Sequence, residues 1–87
     1  MSGGADGAPP RRLGVVESFH VVIRQCPNGS VRKVAEIALA TVERDGAAAL
    51  PEQAFLVLAA VRGWRGERAS QVKTSLAEFL AGQPPRG

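Results

Sequence analysis

Eighty-seven residues make one domain at most. Lys and Arg total 11 against 8 acids, a net charge of +3 that favours solubility and falls far short of the dense basic face of a dedicated nucleic-acid binder. The one cysteine, Cys26, has no partner for an internal disulfide, and no apolar run approaches the roughly 20 residues that cross a bilayer.

The chain opens on Met-Ser-Gly-Gly-Ala-Asp-Gly-Ala-Pro-Pro. This stretch has too little apolar surface to offset the entropy of ordering, so residues 1–11 are predicted to be a disordered tail. It also lacks the charged start and apolar core of a signal peptide, which predicts an intracellular setting, cytoplasmic or nuclear. The closing Gln-Pro-Pro-Arg-Gly, residues 83–87, has the composition of a linker. Residues 12–82 are expected to fold, and the piece reads as the N-terminal domain of a larger protein.

Residues 13–26 place Val15, Phe19, Val22, Ile23 and Cys26 three and four apart, which predicts a helix. The β-branched run Val21-Val22-Ile23 argues mildly for a strand, and the longer periodicity outweighs it. Pro27-Asn28-Gly29 stops the helix. Asn28-Gly29-Ser30 also spells a glycosylation sequon, inert without secretion and read here as a turn. Ser30 is expected to cap a second helix over 31–44, with Val31, Val34, Ala38 and Val42 inward and Ile37 widening the stripe. Gly46 suits a left-handed stop.

Pro51 fits the first position of a third helix over 51–62, with Glu52 favourable to the dipole. Phe55-Leu-Val-Leu-Ala-Ala-Val61 is apolar nearly all round, so this helix is expected to be central and buried on several sides. If it is not central, it exposes a patch of the kind that marks an interface. Gly63 and Gly66 interrupt the pattern around Trp64. A fourth helix is expected over 70–81, capped by Ser70, with Val72, Leu76, Phe79 and Leu80 inward. The fold class is therefore all-α: a small compact four-helix bundle or orthogonal helical array.

Few residues suggest chemistry. His20 and Cys26 lie six apart, which rotates them away from each other on a helix and disfavours a nucleophile pair. One Cys and one His fall short of a structural zinc set. No cofactor, metal or catalytic residue is expected, and no enzyme. The segment Arg62-Gly-Trp-Arg-Gly-Glu-Arg68 stands out, with Lys73 one turn into the next helix. Trp and Arg dominate interface hot spots, and they also stack bases and hold phosphate. Ser70-Gln71 resembles a short kinase site, and Ser70 as a plain cap is the simpler reading.

The sequence thus points to a protein-interaction module. Phe55, Leu56 and Trp64 would anchor a partner helix or peptide, with Arg62, Arg65, Arg68 and Lys73 as a charged rim. The alternative is a nucleic-acid-binding or accessory domain using Trp64 and its arginines. A homodimer is a third option, because a core this small is often completed by a second copy.

Overall fold

A computed structural model describes residues 13–83. The segments expected to be tails lie outside the described residues, except Gln83, whose backbone N–H donates to the Leu80 carbonyl at 3.1 Å. Four helices form: α1 (Val15–Gln25), α2 (Gly29–Asp45), α3 (Leu50–Ala60) and α4 (Glu67–Ala81). A 3-10 turn, Ala47–Ala49, joins α2 to α3, and another, Val61–Gly63, follows α3. Among the described residues there is no strand, so Val21–Ile23 is helical. No helix there is long and apolar enough to cross a membrane.

The helix ends have local causes. The Glu17 carboxylate accepts from the Gly14 N–H at 3.2 Å and ties off the start of α1. Arg32 Nη1 donates to the Cys26 carbonyl at 2.8 Å, satisfying an acceptor just past the other end of α1. The cap of α2 is Asn28, not the expected Ser30. Asn28 Oδ1 accepts from the N–H groups of Ser30 and Val31 at 2.9 and 3.2 Å, which pulls Ser30 into the first turn. The start of α4 also lies earlier than expected. Gly66, at φ 115° and ψ 177°, is its cap, and Ser70 stands a full turn inside the helix. Its φ of 115° turns the chain into Glu67, and the Ser70 N–H already donates to the Gly66 carbonyl at 2.9 Å. Gly46 has the expected positive φ, 82°, but an extended ψ of −168°, because the chain runs straight on into the 3-10 turn.

Packing is cyclic. Each helix lies against the next, and α4 closes on α1, while α1 and α3 touch only slightly across the diagonal. Phe19 and Leu76 are the largest fully buried side chains, joined by Val22, Val57, Val61 and Val72. Full burial of such a side chain contributes about 1.5–3 kcal/mol. The rest of the interior is narrow. Ala35, Ala38, Ala54 and Ala69 are all fully buried, and their small side chains let the backbones approach closely.

The expectation for the third helix is overturned. It occupies a corner between α2 and α4 and buries only one line, Ala54, Val57 and Val61, with Gln53 beside it. Phe55 lies two residues from Val57, roughly 160° round the helix, and is 61% exposed. An apolar composition all round does not bury a helix that has neighbours on two sides only. The contingent expectation, an exposed apolar patch, is what the fold presents.

Candidate functional site

The patch is organised along the seam between α2 and α3. On α2, Val34 and Ile37 lie on the flank of the buried Ala35 and Ala38 line. On α3, Gln53, Leu56, Ala59 and Ala60 occupy the facing flank. Together these six line an open, mostly apolar groove of about 470 Å³. Ile37 is 57% exposed and Leu56 44%, so the groove walls are wet.

A second hollow, of about 460 Å³, continues the seam. Cys26, Pro27 and Val31 form one side, and Gly63, Trp64 and Arg65 the other. Ala60 lines both hollows, so the two adjoin at this residue. Trp64 is half-buried and packs against the core. Its backbone N–H donates to the Val61 carbonyl at 2.9 Å, closing the 3-10 turn that brings the indole to this end.

The expected site residues divide. Leu56 lines the first hollow, and Trp64 and Arg65 line the one that adjoins it. Phe55 does not join them; it projects from the outer face of α3. Lys73 is half-buried on α4, where its ammonium donates to the Arg62 carbonyl at 3.2 Å. That bond supplies a cation to the exposed carbonyl end of the α3 segment. Arg68 Nη1 donates to Gln71 Oε1 at 2.9 Å within the first turns of α4. Arg62 and Arg65 are exposed, and neither guanidinium makes an ion pair among the described residues. Arg44, by contrast, is paired with Asp45 at 3.3 Å.

Four groove residues are not legible as such in the sequence. The spacing makes Ile37 widen the inward stripe of the second helix, yet it lies on the outer wall of the groove. Ala59 and Ala60 are unremarkable letters that matter only because α2 passes beside them. Gln53 is the fourth, and a signal for it exists. It stands four residues before Val57, on the core line of a helix whose one other polar side chain is Glu52. Its side chain is 9% exposed, lines the groove, and makes no hydrogen bond among the described residues.

His20 is exposed on α1 while Cys26 is 2% exposed at its end, so the two are not assembled. Among the described residues, no group of three or more His, Cys, Asp or Glu gathers in metal-binding range. Comparison with protein-family models, with curated proteins and with solved structures returned no match to this chain.

Proposed function

We propose that this domain is a non-enzymatic protein-interaction module that docks a partner helix or peptide in the α2–α3 groove. One observation carries the reading: Ile37 and Leu56 stand on opposite walls of one apolar groove while both remain substantially exposed. A paired exposure of this kind is costly in a free surface and useful in an interface. Two neighbouring helices with an open seam offer the trough in which a third amphipathic helix buries its apolar face. Trp64 at the far end supplies the type of half-buried aromatic that anchors interfaces, and Arg65 beside it adds a charged rim. An intracellular setting, cytoplasmic or nuclear, accompanies this reading, because Cys26 is a free buried thiol.

The test is titration of the isotope-labelled domain with a panel of amphipathic helical peptides. Backbone shifts at Ile37, Leu56 and Ala60, with a change in Trp64 fluorescence, are expected. Unchanged spectra across the panel would count against the proposal. A second reading rests on Arg65 sharing a hollow with Trp64: nucleic-acid binding by stacking and phosphate contact. Salt separates the two. Phosphate-driven binding weakens steeply as salt rises, whereas docking in an apolar groove does not.

A further inference from the structure

Gln53 is a carboxamide nine-tenths buried beside Val57, in a groove otherwise walled by Val34, Ile37, Leu56, Ala59 and Ala60. Its amide has two donors and an acceptor, and none of them is used within the described residues. The amide nitrogen and oxygen keep contact with water through the open groove, because Ser18 Oγ is the one enclosed, unpaired side-chain N or O among the described residues. A helix docked over Gln53 would strip that water and leave the amide to be answered from the partner.

We infer that the groove selects a partner helix of a different protein by a single carboxamide, Asn or Gln, set within that helix's apolar stripe and paired with Gln53. This rests on the groove-docking reading above. A helix satisfies its own backbone, so only a side chain can answer Gln53 from within a docked helix. A carboxamide answers both its donor and its acceptor. A carboxylate would bring an unpaired charge into an apolar trough, and a leucine would leave the amide orphaned beneath it. A lone polar residue in an apolar seam is a known means of fixing register and partner choice.

The charge pattern sets the partner's other end. Trp64 lies eleven residues after Gln53, three turns along the seam, or about 16 Å. Arg65 is exposed there and has no ion pair among the described residues. The fitting occupant therefore carries its carboxamide and an acidic residue about three turns apart, with apolar residues on the turns between. Opposite charge at the exposed end favours capture of such a helix and disfavours a basic one.

Two 15-residue helical peptides test this. One has a leucine stripe with a single Asn in it and a Glu three turns away; its counterpart replaces that Asn with leucine. The full chain is expected to bind the Asn peptide roughly tenfold more tightly, and Gln53→Leu to prefer the all-leucine peptide. The side-chain NH₂ resonances of Gln53 provide a readout that needs no variant: they should shift with the Asn peptide and not with the other. Equal affinity for both peptides, with shifts at Ile37 and Leu56, overturns the carboxamide selection and leaves the groove reading standing. No shift at the groove with either peptide overturns both. Groove shifts that appear on dilution of the chain alone identify a second copy as the occupant. Groove shifts on deleting residues 1–10 identify the chain's own N-terminal segment. Either result overturns a foreign helix.

Discussion

The Leu13 N–H donates to Ser75 Oγ at 3.1 Å, a buried bond across 62 positions of sequence. It joins the start of the first helix to the last and closes the ring of four. A second buried serine, Ser18 on α1, is fully enclosed, and its hydroxyl has no hydrogen-bond partner.

These two serines should respond in opposite ways to the same change. Ser75→Ala leaves the Leu13 N–H unpaired in a buried position, which costs about 1–3 kcal/mol. Ser18→Ala removes an orphaned hydroxyl and should leave stability unchanged or raise it by roughly 1 kcal/mol. Paired denaturant melts with a shared slope measure both. Equal losses in the two variants would contradict the bonding described here.

The second helix offers a test of which residue caps it. Asn28 Oδ1 holds two N–H groups of the first turn, so Asn28→Ala should cost about 1 kcal/mol. Ser30→Ala should fall within about 0.5 kcal/mol of the parent, because its exposed hydroxyl holds no cap. Thermal midpoints of the two variants decide the matter.

Why was Ser30, and not Asn28, the natural reading of the sequence? Both are good caps, two residues apart, and Pro27 restrains the preceding residue rather than Asn28 itself. Nothing local separates them; the position of α2 against α1, held by Arg32 on the Cys26 carbonyl, accompanies the choice. The number of helices was legible because glycine, proline and asparagine interrupt a clear three-and-four spacing. The burial of α3 was not. Periodicity reports a helix's inner face only when its outer face is polar, and Phe55, Leu56 and Ala59 give α3 no polar side. Only the ring topology reveals which of its faces has a neighbour. The groove was illegible for the same reason, because it belongs to two helices whose pairing no single stretch encodes. Of the expected anchors, Leu56 and Trp64 reach the seam through their spacing of two turns, while Phe55, one position from Leu56, is carried about 100° away.

Two glycines make a backbone prediction. Gly46 and Gly66 combine positive φ, 82° and 115°, with extended ψ, a region closed to residues bearing a Cβ. No neighbouring atom crowds a Cβ at either position, so any loss from alanine measures backbone strain alone. Gly46→Ala and Gly66→Ala should each cost about 1–3 kcal/mol. Gly63→Ala has equal space and no positive φ, and serves as the mild control.

The last prediction concerns the price the fold accepts for its groove. Gln53→Leu replaces a side chain that is nine-tenths buried but whose amide meets water at the open groove, and should leave the stability of the free domain unchanged or raise it by up to about 1 kcal/mol. Ile37→Glu and Leu56→Glu change side chains that are more than four-tenths exposed, and should leave stability within about 0.5 kcal/mol. Both glutamates should nevertheless abolish docking of an amphipathic peptide, since they put a charge into the apolar wall. Stability and binding then move independently at three positions along one seam. That separation is the signature of residues retained for recognition, because residues retained for folding lose both together. Chemical denaturation of the three variants beside the parent, with peptide titrations on the same samples, measures it. A large loss of stability on Ile37→Glu would show that the wall is part of the core and that no groove is open there.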